Sequence, residues 1–399
     1  MLKKYKPYLI HGGLFLATLF TTTMAGASWI GTAKMEDSFW DYFITGFPFS
    51  IPFLLILTVH EFGHYITARI YKVDVSLPYY IPFFIPVGIP QIGTFGAFIK
   101  MKNKINSRKE VFDIGVAGPL AGFFVALIVL TYGFTHLPEP EHIYKVHPDY
   151  AKFGINYSDS VYTAQYQKQV AKQNNIQVPE NYEFTELSLG NNLVFAFFEE
   201  FVVTDKSLIP NKYEMFHYPF LFAAYLALFF TALNLIPIGQ LDGGHVIYGL
   251  FGHRNHQTIS SILFSIYVLV AGIGIFKNNL LEINFFETDS FNMLLLAAAY
   301  LYFLYTILFR TFKSWKNTLM IAVIIFSTQF FIEYFFPAVK GFDGWMFFAF
   351  IIGRFLGTDH PPATIEEPLD YKRKLIGWFT ILVFIICFTP QVFVIETFK

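Results

Sequence analysis

Apolar residues in this chain fall in long unbroken runs, at about 9–30, 46–70, 111–135, 217–238, 258–276, 291–309, 317–337 and 375–395. Each is long enough to cross the ~30 Å hydrocarbon core of a bilayer as a helix. A shorter run at 343–357 would give ~22 Å of helix, which is short for a span. Basic clusters then set the direction of threading. They sit at Lys3/Lys4/Lys6, at Lys100/Lys102/Lys104/Arg108/Lys109, at Arg310/Lys313/Lys316 and at Lys372/Arg373/Lys374, with Arg254 in a turn at 252–257. The positive-inside rule puts all of them in the cytoplasm, and the last two clusters share a side only if 343–357 also crosses. The pattern predicts an all-α polytopic membrane protein with about nine transmembrane helices, eight being the alternative, an N-terminus inside and a C-terminus outside.

Two stretches break the pattern. Between 71 and 99, Pro78, Pro82, Pro86 and Pro90 recur every four residues among aromatics, and Gly93-Thr94-Phe95-Gly96-Ala97-Phe98-Ile99 follows. No helix tolerates that many prolines, so the segment reads as a re-entrant membrane-associated β loop rather than a greasy linker. Non-helical backbone at membrane depth survives where protein buries it or where it lines a watery cavity. The other stretch, 138–216, is polar and rich in Tyr, Gln, Asn and Glu, and is expected to form an extracytoplasmic subdomain. With only Gly154 and Gly190 in it, it lacks the closely spaced glycines of a PDZ ligand loop.

Composition agrees with the membrane reading. The 399 residues are 54% hydrophobic, 20% aromatic and only 14% charged, against about 25% charged in soluble domains. Acidic and basic residues nearly cancel, 29 against 28, so no bulk field points to a nucleic-acid partner. A lone cysteine, Cys387, excludes an intrachain disulfide and a thiolate metal site, and leaves metal binding to histidine and carboxylate. The lysines before Leu9–Ile30 and the small residues Ala25-Gly26-Ala27-Ser28 imitate a cleavable signal, but the run is long enough to stay as a signal anchor. The charge balance and membrane class fit a bacterial inner membrane or an organelle membrane equally well; the N-terminal lysines without an Arg/Ser-rich, acid-poor leader speak against an attached transit peptide, and a bacterial inner membrane is the expectation.

Within the second run the chain reads Thr58-Val59-His60-Glu61-Phe62-Gly63-His64-Tyr65, an H-E-x-x-H motif. On a helix His60 and His64 lie one turn apart on one face and can both reach a Zn²⁺ ion at ~2.0–2.1 Å. Glu61, beside them, is suited to take a proton from a water that the metal acidifies and to pass it to a leaving amine. The bland alternative is a satisfied pair of core histidines beside a protonated glutamate. A carboxylate at the centre of a spanning helix costs ~2.5–3.5 kcal/mol on insertion scales, so such a triplet is retained where it has a task.

A catalytic zinc takes three protein ligands and keeps one position open. Asp242 is the candidate third ligand, in Asn234-Leu235-Ile236-Pro237-Ile238-Gly239-Gln240-Leu241-Asp242-Gly243-Gly244-His245 at the end of the fourth run. Pro237 and Gly239 are expected to loosen that helix end, and Gly243 and Gly244 to allow close approach and left-handed torsions that aim Asp242 at the metal. The topology brings this end and the His60/His64 end to the same cytoplasmic depth.

An intramembrane H-E-x-x-H followed by N-x-x-P-x-x-x-L-D-G resembles the site-2 protease family of intramembrane zinc metalloproteases. Gly93-Thr94-Phe95-Gly96-Ala97 is similar to that family's membrane-associated β loop, and Ala117-Gly118-Pro119-Leu120-Ala121-Gly122 to its A-G-P segment. The terminal Gly353-Arg354 and His360-Pro361-Pro362, with the missing PDZ module, resemble the PDZ-free branch. For His60, His64, Asp242 and Glu61 the resemblance implies the roles just derived. It adds Asn234 as a hydrogen-bond partner for the substrate or its oxyanion.

The expected organisation is an anchor and outside loop at 1–45, a catalytic core at 46–137, the polar subdomain at 138–216, a core helix with the third ligand at 217–252, and accessory helices at 253–399. The expected function is regulated intramembrane proteolysis of single-span membrane proteins by a zinc metalloendopeptidase in the lipid bilayer. A metal or proton transporter and a non-cleaving membrane-client binder are the rivals; the first lacks an inverted repeat, and Glu61 speaks against the second. His360 reads as a cytoplasmic turn residue, Arg354 as snorkelling to headgroups, and His245, His253 and His256 as interfacial histidines. Gly118 and Gly122 form a G-x-x-x-G step for close helix packing inside the core.

Overall fold

The computed structural model describes residues 2–33, 38–85, 91–179, 182–278, 283–284, 290–339, 341 and 344–398. In chain order the elements are α1 (Leu2–Ile30), α2 (Phe39–Thr45), α3 (Phe47–Ile70), β1 (Tyr79–Pro82), β2 (Thr94–Phe98), α4 (Arg108–Thr135), α5 (Ser158–Val161), α6 (Ala164–Gln173), β3 (Phe184–Leu189) and α7 (Leu193–Phe201). Then come α8 (Pro219–Asn234), α9 (Asp242–Ala271), β4 (Lys277–Asn278), β5 (Ile283–Asn284), α10 (Ser290–Phe312), α11 (Trp315–Phe335), α12 (Gly344–Ile351), α13 (Tyr371–Cys387) and β6 (Phe393–Phe398). The chain divides into two compact units, one of residues 1–104, 117–233 and 383–399, the other of 105–116 and 234–382.

Five helices among the described residues are long and apolar enough to cross a membrane: Tyr5–Ile30, Phe47–Ile70, Arg108–Thr135, Phe291–Phe312 and Trp315–Phe335. Pro219–Asn234 and Gly344–Leu356 are shorter apolar helices. The protein is therefore mostly helical and polytopic. Three expected boundaries move. The run at 217–238 stops being helical at Asn234, three residues before Pro237. The turn expected at 252–257 is a kink at Gly252 (φ 79°, ψ 171°) inside α9, and the 258–276 run lies on the same helix beyond it. The run at 375–395 is helical only to Cys387, and its last residues enter strand β6.

In the first unit α8 is the core. Its residues from Leu221 to Phe229 are all buried, as expected of a helix apolar on every side. α1 and α3 carry apolar faces that no protein covers, with Leu9, Leu16, Phe20, Leu55, Ile66 and Ile70 exposed, the pattern of surfaces that meet lipid. Along α1 runs the proline-rich stretch. The His11 Nδ1 meets the Pro78 carbonyl at 3.0 Å, the Thr21 hydroxyl donates to Gly93 O at 2.7 Å, and the Trp29 indole donates to Gln91 O at 2.8 Å. β2 forms where expected and pairs antiparallel with β1, which the sequence reading did not foresee; Pro82 sits where the register shifts, so its missing N–H spoils little pairing. Pro86 and Pro90 lie outside the described residues.

At the Ile30 end of α1 the polar segment gathers. β3 pairs antiparallel with β6 in continuous register from Phe184↔Phe398 to Leu189↔Phe393, and Trp29 stacks on Phe393 at 5.9 Å. The last strand, the polar segment and the end of α1 thus share one side of this unit.

The second unit packs α9 against α11 and α12, and α10 against α11. Two of its buried polar side chains are satisfied by nearby backbone: Glu333 accepts from the Gly274 and Phe276 amides, and Gln329 donates to the Val268 and Leu269 carbonyls. At the start of α4, Arg373 of α13 grips Asp113 with Nε and Nη2 at 2.7–3.1 Å.

Candidate metal centre

Pro48 lies in the first turn of α3, where a missing N–H costs little, whereas Pro52 lies inside the helix and forgoes one bond of its ladder. Its buried stripe runs from Phe49 through Phe53 and Ile56 to His60, Glu61, His64 and Ala68. His60, Glu61 and His64 are only 5%, 4% and 7% exposed. Helical spacing turns both rings the same way, and their Nε2 atoms stand 3.1 Å apart. Two ligands of one tetrahedral ion at ~2.0–2.1 Å are separated by about 3.3 Å, so the pair fits a shared zinc.

What admits the rings is the absence of side chains opposite. A Cβ on Gly118 would lie 2.1 Å from His64 Nε2, and one on Gly122 would lie 3.1 Å from His60 Cβ. Gly63, between the histidines, has its own space taken by the Ala117 carbonyl, 2.6 Å from where its Cβ would be. The A-G-P segment of α4 and the H-E-x-x-H turn of α3 therefore meet at a crossing that only small residues permit, and the G-x-x-x-G step serves core packing. Gly63 was not singled out from sequence, although its place inside the motif was visible.

A second anchor was also missed. The buried Tyr80 of β1 shares a 2.9 Å hydrogen bond with Thr58, one turn before Glu61. The strand pair is thereby fastened beside the H-E-x-x-H turn. On the far side of β2 no further strand pairs among the described residues, and Phe95 and Phe98 are 59% and 48% exposed.

The second unit holds the other two candidates. Asn234 is the last residue of α8 and is half-buried. Asp242 opens α9 rather than closing the preceding helix, and in that first turn its carboxylate complements the positive end of the helix. Of the glycines around it only Gly239 has a left-handed backbone (φ 61°); Gly243 and Gly244 are helical, and what they supply is room. A Cβ at Gly243 would sit 2.0 Å from Leu235 O and one at Gly244 2.2 Å from Gly239 O. The expected left-handed torsions at 243 and 244 are thus replaced by close packing of the Leu235–Gly239 loop on the start of α9.

His245, one turn into α9, bonds through Nδ1 to His360 Nε2 at 2.8 Å, and His360 stacks on Tyr248 at 4.1 Å. His360 is 4% exposed, so it is a packed partner of α9. His256 is fully buried in the same neighbourhood, with ring centroids 5.6 Å from His360 and 6.1 Å from Tyr248. Arg354 is exposed, and its carbonyl accepts from Arg310.

The profile of Peptidase family M50 matches residues 48–276, more than half of the chain and the whole stretch from α3 through α9. The chain is 26% identical over 207 residues to the probable zinc metalloprotease EGY2, chloroplastic, of Oryza sativa subsp. indica, covering 52% of this chain and 30% of the relative. It is 29% identical over 269 residues to the probable zinc metalloprotease EGY1, chloroplastic, of Oryza sativa subsp. japonica, covering 61% and 38%. To the probable zinc metallopeptidase EGY3, chloroplastic, of Arabidopsis thaliana it is 23% identical over 249 residues, covering 60% and 36%. The chain thus spans about a third of the length of these relatives. No solved structure matches it.

Proposed function

This chain belongs to peptidase family M50, and from that membership we propose that it is a membrane-embedded zinc metalloprotease that hydrolyses peptide bonds within or near transmembrane helices. The carrying observation is the pair of buried imidazoles on α3, 3.1 Å apart at Nε2, beside Glu61 in an otherwise apolar spanning helix. In our reading His60, His64 and Asp242 would hold the metal, a His₂-carboxylate donor set of the kind that suits catalytic zinc. Bound there, zinc would supply Lewis acidity toward water and the scissile carbonyl.

The chain's own groups do the rest. Glu61 accepts the proton of the attacking water and returns it to the departing amine; such proton transfer contributes about 10²–10⁴-fold to rate. The Asn234 side-chain amide donates a hydrogen bond to the carbonyl oxygen as negative charge grows on it. A helical substrate hides its amides in its own ladder, so it must unwind before it can be cut. The edge of β2 that no strand covers among the described residues offers main-chain partners to such an extended segment, and recognition then favours helix-breaking residues over side-chain sequence.

We read the β1–β2 hairpin as re-entrant, because the contacts from His11 to Trp29 follow about 27 Å of α1 at 1.5 Å per residue. The threading we favour has nine crossings, the N-terminus in the cytoplasm and the polar segment 138–216 outside. The shared side of α1's end, that segment and β6 supports an outside C-terminus. Single-span proteins are the substrates, released inward after cleavage, and a bacterial inner membrane is the setting.

The test is zinc content of purified wild type, Glu61→Gln and Asp242→Ala, with cleavage of a single-span reporter in detergent. Zinc retained in Glu61→Gln, reduced in Asp242→Ala, and cleavage by wild type alone would support the assignment. Absence of zinc from wild type would remove it, and full zinc in Asp242→Ala would remove Asp242 as ligand.

A further inference from the structure

A second set of metal donors lies in the first unit, at the junction between the polar segment and the membrane helices. His147 precedes the 3₁₀ helix Pro148–Asn156, Glu214 precedes the 3₁₀ turn Met215–His217, and His217 ends that turn. Three residues per 3₁₀ turn eclipse Glu214 and His217, so E-x-x-H presents carboxylate and imidazole on one face. His147, 70 positions before His217, closes the triangle. The distances are 3.3 Å between the two Nε2 atoms, 3.4 Å from His147 Nε2 to Glu214 Oε2, and 3.3 Å from His217 Nε2 to Glu214 Oε2. A tetrahedral ion with ligands at ~2.0–2.1 Å has an edge of about 3.3 Å.

The surrounding hydrogen bonds orient the donors inward. His217 Nδ1 lies 2.7 Å from Trp29 O and 3.1 Å from Ile30 O, at the end of α1. Carbonyl oxygens only accept, so Nδ1 carries the proton and the neutral ring presents a lone pair at Nε2. Glu214 is 2% exposed; its Oε1 accepts the Tyr162 hydroxyl, while its buried Oε2 makes no hydrogen bond at all. A lone pair and a carboxylate oxygen 3.3 Å apart in a buried place repel unless a proton or a metal cation lies between them, and three such donors converging on one point suit the metal.

We propose that His147, Glu214 and His217 form a second divalent-metal site of the zinc class, which fastens the polar segment to the end of α1 and the start of α8. Two imidazoles and one carboxylate suit Zn²⁺ and its transition-metal neighbours and suit Ca²⁺ or Mg²⁺ poorly, since those ions prefer oxygen throughout. Entry and the fourth position lie on the side of His147, whose side chain is 35% exposed.

The test separates this site from the α3 centre by removing the latter. In the full-length His60→Ala/His64→Ala protein, about one zinc per chain should remain after dialysis against metal-free buffer, and Co²⁺ in its place should give the intense visible absorption of a tetrahedral site. Adding His147→Ala, a change at a part-exposed ring, or Glu214→Gln should abolish both signals, and should also abolish the rise in melting temperature that added Zn²⁺ produces. A folded His60→Ala/His64→Ala protein that binds no zinc, or a His147→Ala derivative that binds it as before, overturns the proposal. If these variants fail to fold, His147→Ala in the otherwise wild-type chain decides, a loss of about one zinc per chain relative to wild type supporting the second site and an unchanged count overturning it.

Discussion

Gly118 lies so close to His64 that a methyl group in its place would stand 2.1 Å from the imidazole Nε2. The proposed zinc-binding face of α3 therefore depends on a small residue of α4. Gly118→Ala should push His64 from its position, lowering zinc content and reporter cleavage at least tenfold. Overpacking of this kind costs about 1–3 kcal/mol, so the chain should still insert and fold. Gly12→Ala, with open space around its Cβ, is the control and should leave zinc content unchanged. Elemental analysis and cleavage assays on the two variants decide it; normal zinc in Gly118→Ala would show that the crossing can relax.

The exposed edge of β2 is the proposed landing place for an unwound substrate. Phe95→Pro or Phe98→Pro removes a main-chain donor there. Either should cut reporter cleavage at least tenfold with zinc content unaltered. Intact cleavage at normal protein levels would rule out strand addition.

Arg373 holds Asp113 by a forked contact, and both are partly buried, with side chains 31% and 19% exposed. Arg373→Ala leaves that carboxylate without its fork and should lower stability by about 1–3 kcal/mol. Arg373→Lys should recover only part of it, since an ammonium cannot reproduce the fork. Unfolding of the detergent-solubilised variants measures the difference, and equal stability of Arg373→Ala and wild type would count against the contact.

The strand pair β3–β6 should respond to acid. Lys212 and Tyr213 both donate to Glu396, and these hydrogen bonds hold its carboxyl below the ordinary value of 4.5. A carboxylate whose pKa is lowered in the folded state contributes fully above its unfolded pKa and loses that contribution as pH falls through the folded one. Amide exchange in 184–189 and 393–398 should therefore quicken as the pH falls below the ordinary carboxyl value of 4.5, after correction for intrinsic rates, and Glu396→Gln should flatten this response. A profile identical in wild type and Glu396→Gln would refute the link.

Local chemistry was legible in the chain. H-E-x-x-H needs only the 3.6-residue period to bring His60 and His64 together, and the apolar runs announce helices because lipid forbids unpaired backbone. The strand at 94–98 could be read from its glycines and aromatics, while its partner β1 could not, since Pro78 and Pro82 obscure a strand that survives at a register shift. The run at 375–395 misled for a related reason. Hydrophobicity marks burial without naming the partner, and beyond Cys387 that partner is β3, some 200 residues earlier in the chain.

By itself the sequence determined the family-defining motif, the membrane class and the order of the long apolar runs, all of which follow from spacings within a few turns. Only the tertiary structure decided which residues face the histidines, which carboxylate sits beside His147 and His217, and where the last strand pairs. These are contacts between distant segments, 206 residues apart at one hydrogen bond between β3 and β6, and they are selected by packing: Gly118 because no larger side chain fits against His64, and Glu214 because burial leaves its oxygen needing a positive partner.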